Sequence, residues 1–238
     1  DEDDCGTAVV DVLVLITEDA QDWMNDNFGV LNQLYLYFGT NSVNEALFLS
    51  GVPNKRVRMR FVSNYTPSFT LNHHFNDLNE LKDEQESSGS LKFQYRADIV
   101  VMLTDFGYTS AGVAYTIDPS NSAKYCIVES PFLLDPRFTF AHEVAHIFGC
   151  DHDPDHASGI EEDCSHGHYL ALQTDRPTIM SAIDPTDPVA RILRYSNPDV
   201  LFGGVATGVT DSRDNARIMR ASICQVADNL LSPELYVS

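Results

Sequence analysis

In the run HEVAHIFGCDHD, residues 142–153, three histidines, a glutamate and a glycine stand at the intervals H-E-x-x-H-x-x-G-x-x-H. On an α-helix, His142 and His146 lie four residues apart and project from one face. Two imidazoles placed so can grip a single Zn²⁺. Gly149 lets the chain leave the helix in a backbone conformation that other residues resist, and His152 then returns as a third ligand. Three protein ligands leave one tetrahedral position for water, which is the arrangement of a catalytic rather than a structural zinc site. Glu143, next to His142, can reach that water and take its proton. Fixing all five positions reduces chance occurrence to roughly one in ten thousand, taking residues as equiprobable. A helix that buried Val144, Ala145, Ile147 and Phe148 for packing alone would not need three histidines.

The elements that must position this run are legible from periodicity. Val9 to Ile16 is a β-branched apolar run and reads as a buried strand. Gln21 to Leu49 carries a long helical pattern that stops at Ser50-Gly51-Val52-Pro53. Val57, Met59 and Phe61 alternate with arginines, a strand period. Phe75 to Lys82 reads as a short helix, Asp83 to Ser90 as an exposed loop, and Ala97 to Thr104 as another buried strand. This β-α-β-α-β order predicts crossover helices and a mainly parallel sheet. Residues 125–129 make a further short strand. The histidine helix is expected from about Pro136 to Gly149, and a last helix from Asp211 to Leu231. Asp151 to Gly167 has little periodicity. His156, His166 and His168 there, like His73 and His74, read as ordinary loop histidines.

Composition bounds the rest. The chain has 238 residues, 43% of them hydrophobic, which supports a packed globule. One catalytic domain spanning 1–238 is expected, with an N-terminal lobe of about 1–149 and a C-terminal lobe of about 150–238. The formal net charge of −20 argues against nucleic acid as a partner. No apolar run reaches the ~20 residues of a membrane span. The first residue is Asp rather than Met, so either a processed mature form or a trimmed chain is expected. The acidic excess would also suit Ca²⁺, and Asp1 to Asp4 is the obvious cluster, but no EF-hand loop supports a calcium site. Among five cysteines, Cys150 and Cys164 are spaced to staple the loop after the histidine helix. Disulfides would imply a secreted, extracellular protein.

The motif HExxHxxGxxHD resembles the metzincin zinc proteases, and its Asp after the third His is most like the adamalysin/reprolysin branch. The resemblance implies a methionine turn beneath the zinc, for which Pro177-Thr178-Ile179-Met180-Ser181 offers Met180. Astacins and serralysins carry a zinc-binding Tyr two residues later, where this chain has Ala182. Residues 194–198 and 214–217 resemble bacterial reprolysin-like enzymes, including peptidyl-Asp metalloendopeptidases. The implied fold is a metzincin-type α/β or α+β domain. It has a twisted, mostly parallel sheet with one antiparallel edge strand, a long active-site helix, and a small irregular C-terminal lobe ending in a helix.

The implied function is a secreted, zinc-dependent metalloendopeptidase, acting as a monomer on protein or peptide substrates. Glu143 would be general base toward a zinc-bound water, His142, His146 and His152 the ligands, and Gly149 and Asp153 the shapers of the zinc loop. An edge strand at Gly112, Val113 and Ala114 would pair with an extended substrate, as an open sheet edge can. A Cys126–Cys224 bridge resembles one used in reprolysins. Cys5, left over, is either a free thiol or an inhibitory zinc ligand like that of matrixin propeptides. Similarity to the peptidyl-Asp group implies acidic residues beside the cleaved bond, with Arg137, Arg176, Arg191 and Arg194 as basic candidates. Two rivals stand beside this reading: a zinc-holding interaction module without catalysis, and a hydrolase of small amides or esters.

Overall fold

The computed structural model describes residues 6–115, 124–134, 137–157, 164–170, 176–183 and 189–227. Cys5, the Asp1 to Asp4 cluster and the end of the expected last helix lie outside the described residues. A five-stranded sheet organises the chain. Its strands are β1 (Ala8–Thr17), β2 (Lys55–Tyr65), β3 (Ile99–Thr104), β4 (Gly112–Ala114) and β5 (Tyr125–Glu129), in the order β2-β1-β3-β5-β4. All pairings are parallel except β4 with β5, so β4 is the one antiparallel strand and forms an edge. This is the mostly parallel sheet with an antiparallel edge that the residues and the resemblance led us to expect.

The central strands are buried on both faces, as a parallel sheet covered by crossover helices requires. Successive side chains of β1 alternate between two cores. Val10, Val12, Val14 and Ile16 join the larger cluster, and Leu13 and Leu15 the smaller. The larger side is covered by α1 (Glu18–Phe28), α2 (Asn32–Leu49), α5 (Thr139–Ile147) and α6 (Asn215–Ala227). The smaller side is covered by α3 (His74–Gln85), through Leu78 and Leu81. A five-residue helix, α4 (Leu91–Tyr95), precedes β3. Beyond α5 come two short hairpins, β6 (Tyr169–Leu170) with β7 (Arg176–Pro177) and β8 (Leu201–Phe202) with β9 (Val205–Ala206).

Several expected boundaries move for local reasons. The single helix expected over residues 21–49 divides, because Gly29 turns to φ 51° and a 3-10 turn over Gly29–Leu31 separates α1 from α2. The loop expected from Asp83 instead begins inside α3 and ends at α4. Ala216, Met219, Ile223 and Val226 pack into the same core as β1, so α6 clasps the sheet.

The expected disulfides need correction. Cys126 and Cys150 carry free thiols, so neither Cys150–Cys164 nor Cys126–Cys224 forms. Cys126 points into the core from β5, close enough to Glu143 to feel its charge. The Cys150 thiol donates weakly to the Asn215 carbonyl at 3.8 Å. Cys224 is disulfide-bonded, and not to Cys126, which is free.

Candidate metal centre and substrate cleft

The site is built on α5 and the turn that follows it. α5 is buried along its whole length, from Thr139 to Ile147, with Phe140, Ala141, Val144, Ala145 and Ile147 in the larger core, so its backbone direction is fixed there. It ends in a Schellman turn: the Gly149 amide donates to the His146 carbonyl at 2.9 Å, and the Cys150 amide to the Ala145 carbonyl at 3.0 Å. The turn requires a left-handed residue, and Gly149 supplies it at φ 86°. This reverses the chain and returns His152 to the helix face. His142, His146 and His152 then offer ligand atoms lying within 4.8 Å of one another, and they form the only such group of three metal-ligating side chains among the described residues.

The hydrogen bonds around these rings fix which nitrogens face inward. His142 Nδ1 donates to the Ile179 carbonyl at 2.8 Å, and His146 Nδ1 to the Cys150 carbonyl at 2.8 Å. A carbonyl only accepts, so each Nδ1 carries the proton and each Nε2 presents a lone pair. The Nε2 atoms of His142 and His152 lie 3.1 Å apart. Two ligands on a tetrahedral zinc at ~2.05 Å stand about 3.3 Å apart, so the spacing fits that ion. Burial, with nearby Arg191, holds His142 well below the usual imidazole range, and burial also lowers His152. Both are neutral at pH 7, the form that binds metal.

The residues after the triad lock the loop in place. Asp153 Oδ2 accepts from the Ala182 amide at 2.7 Å, and its Oδ1 pairs with His156 Nδ1 at 2.8 Å. The Asp after the third histidine thus ties the zinc loop to the residue two beyond Met180. Met180 itself is fully buried, next to Ile179 whose carbonyl holds His142, in a tight turn closed by the Ser181 amide donating to the Thr178 carbonyl at 3.1 Å. The turn is pressed against Gly167, where an added Cβ would stand 2.5 Å from the Met180 carbonyl carbon. His166 serves the loop too, its Nδ1 donating to the His152 carbonyl at 2.9 Å.

A cleft of about 500 Å³ opens over the triad, bounded by Glu143 and Arg191 below and by β4 along one side. Burial raises the Glu143 carboxyl to about 8, with Arg191 pulling the other way. A bound divalent cation would favour its carboxylate form. Along β4, hydrogen bonding to β5 alternates. Ala111 accepts from Glu129, and the Tyr115 amide donates to the Tyr125 carbonyl. Val113, at the same phase, therefore turns its backbone toward β5 opposite Ile127. Gly112 and Ala114 are left to face the open edge, and the Gly112 carbonyl accepts from the Ser110 hydroxyl at 3.0 Å.

Sequence reading had no way to see what Gly112 does to Glu143. An added Cβ at Gly112 would stand 2.7 Å from both Cγ and Oε1 of Glu143. Gly112→Ala should therefore displace the carboxylate and cut turnover by roughly tenfold or more, since such misplacement is costly in a preorganised site. Zinc content should not change. Equal kcat for the variant and the parent would show that Glu143 has room to spare.

Of the four basic candidates, Arg137 and Arg191 line the cleft. Arg194 stacks over Phe202 instead, with 5.1 Å from guanidinium carbon to ring centroid, and Arg176 lies exposed in β7.

Residues 6–187 match the reprolysin-type family model described as metallo-peptidase family M12. The peptidyl-Asp metalloendopeptidase of Stenotrophomonas maltophilia (strain R551-3) is 24% identical over 213 residues, which is 87% of this chain and 45% of that protein. That of Xanthomonas campestris pv. campestris is 23% identical over 211 residues, 87% of this chain and 44% of that protein. The chain thus spans less than half the length of these relatives. Among solved structures, one described as a chaperone-substrate complex superposes with a TM-score of 0.69 at 16% identity. It covers 93% of this chain and 36% of that one. At that identity it speaks for the fold alone.

Proposed function

The chain belongs to metallo-peptidase family M12, and from that premise we propose that it is a zinc-dependent endopeptidase that binds its substrate extended along β4. The observation that carries the reading is the convergence of three imidazoles beside Glu143 on the floor of an open-edged cleft. His142, His146 and His152 would hold the ion. When bound, zinc supplies Lewis acidity, acidifying water and polarising the scissile carbonyl. Glu143 accepts the proton of the attacking water at its carboxylate and passes it to the leaving nitrogen. Gly112 and Ala114 offer backbone groups to the peptide, and the cleft beside them excludes bulk water from the carboxylate. Met180 anchors the turn whose Ile179 carbonyl holds His142, and Asp153 holds the loop that carries His152.

We also propose that the protein acts outside the cell as a monomer. The disulfide at Cys224 supports an oxidising compartment, and the charge of −20 suits solubility there. No helix among the described residues is long and apolar enough to cross a membrane.

The test is zinc content measured together with casein hydrolysis, with and without phenanthroline, and with short esters run in parallel. Bound zinc with casein cleavage lost to the chelator is the expected result. Bound zinc with ester cleavage alone would make the protein a small-molecule hydrolase. Bound zinc with no hydrolysis would leave an interaction module.

A further inference from the structure

Gly112 meets two demands that conflict. It must lack a Cβ, because an added one would stand 2.7 Å from Cγ and Oε1 of Glu143. It must also keep its backbone steady, because it faces the open edge on which an extended peptide would pair. A glycine in a three-residue edge strand is poorly held on its own, with wide backbone freedom and no side chain to pack. Its carbonyl has to be fixed from outside.

Two side chains that take no part in the metal centre do this. The Ser110 hydroxyl donates to the Gly112 carbonyl at 3.0 Å. A hydroxyl has one proton, so toward His74 the Ser110 oxygen only accepts, and His74 Nδ1, 2.7 Å away, carries the proton between them. His74 reads from sequence as a loop histidine, yet it opens α3, is buried and lines the cleft. Burial brings its pKa down to about 4, so the ring is neutral at pH 7. Its Nε2 has no partner among the described residues. This buried imidazole therefore spends its hydrogen bonding on Ser110 alone, at a cost that an apolar side chain would avoid. The ring is braced in turn. It packs on Tyr108 with centroids 3.8 Å apart, and the Tyr108 hydroxyl donates to Asp77 Oδ2. The same oxygen accepts the Asn72 and His73 amides, at 2.9 and 3.2 Å, at the start of α3. The pair is not a nucleophile with its base, because the serine proton is given to a carbonyl and the facing imidazole nitrogen is already protonated.

We propose that His74 and Ser110 are positioning residues for peptide hydrolysis, a relay from α3 that fixes the Gly112 carbonyl so that the substrate backbone pairs with β4 in register over Glu143 and the histidines. The proposal rests on the peptidase reading and deepens it. A carbonyl has two lone pairs, so the Gly112 oxygen held by Ser110 still accepts an amide of the substrate.

The experiment measures KM and kcat for a fluorogenic peptide on zinc-loaded protein, and the Kd of the same peptide for zinc-loaded Glu143→Gln carrying each change. Ser110→Ala should raise KM and Kd by roughly three- to tenfold, the loss of one hydrogen bond, with kcat within about twofold and zinc content unchanged. His74→Phe, which keeps a ring against Tyr108 and loses the donor, should do the same. The double variant should bind no worse than either single one, because the two side chains act in series. His74→Asn, which can place an amide N–H near the Nδ1 position, should recover most of the loss. An unchanged KM in folded Ser110→Ala overturns the proposal and leaves the peptidase reading standing. A fall confined to kcat does the same, and so do single effects that multiply in the double variant. Where His74→Phe does not fold, Ser110→Ala, at an exposed position, decides alone. A zinc-loaded wild type that cleaves neither peptide nor casein defeats the peptidase reading itself, and the proposal falls with it.

Discussion

Glu143→Gln should lower peptide hydrolysis by roughly 10²–10⁴-fold, the range expected when a positioned general base is removed, while zinc content stays at the wild-type level. Gln is the right replacement because it keeps the shape of the side chain. Glu143 is buried and presses on Gly112. An Ala there would leave a void beside α5 and confuse lost chemistry with lost packing. Gln retains the volume and the contact and loses only the ability to take a proton. Nothing in the histidine triad depends on it, since His142 and His146 are held by the Ile179 and Cys150 carbonyls. Loss of turnover without loss of metal is thus the signature to look for, read as kcat beside zinc content by elemental analysis. A variant retaining more than about a tenth of wild-type kcat would mean that another group accepts the proton.

The difference between what was legible and what was not follows the range of the forces involved. The triad could be read because a metal demands ligands at short, regular intervals on one helix and its exit turn. His142, His146, Gly149 and His152 meet that demand within eleven residues. The apolar runs of β1 and β3 were equally plain, because a doubly covered parallel strand leaves no polar alternation. The split at Gly29 was not plain, because a helical apolar pattern continues across it and only the backbone turn at φ 51° breaks it. The cysteine pairings failed for a different reason. Spacing limits which thiols can meet but not which way they point, and Cys126 points into the core. Contacts between distant segments were beyond sequence reading altogether. Gly112 under Glu143, Gly167 under Met180 and Arg191 on the Ser181 and Arg137 carbonyls all depend on the assembled fold. The one sequence signal they left was a glycine or an arginine that no local turn or strand required.

Removing zinc should abolish activity and also lower the melting temperature, by on the order of 5–10 °C when compared with protein in about hundredfold excess of zinc over its dissociation constant. The unfolding itself should stay cooperative. The sheet and its two cores owe nothing to the ion: β1, β3 and β5 are buried on both faces by residues far from the triad. α5 is held within the larger core along its whole length. The zinc loop is different. It is held by hydrogen bonds: Asp151 to Ser165 and Gly167 and His166 to His152 join its two segments, and Asp153 to Ala182, His168 to Thr178, His166 to Ser196 and Ser165 to Asn215 tie it to the rest. Without a cation, the His142 and His152 rings are joined at most by one Nε2···Nε2 hydrogen bond at 3.1 Å, in place of a shared ion that ties all three histidines together. The loss should be felt on the loop side, because His142 sits on a buried helix and His152 does not. Hydrogen exchange should therefore rise in residues 150–157 and 164–170 on chelation, and change little in β1 and β3. Loss of protection spread evenly across the sheet would make zinc a structural ion for the whole fold. An unchanged melting temperature would mean that the three histidines do not hold the metal in the resting protein.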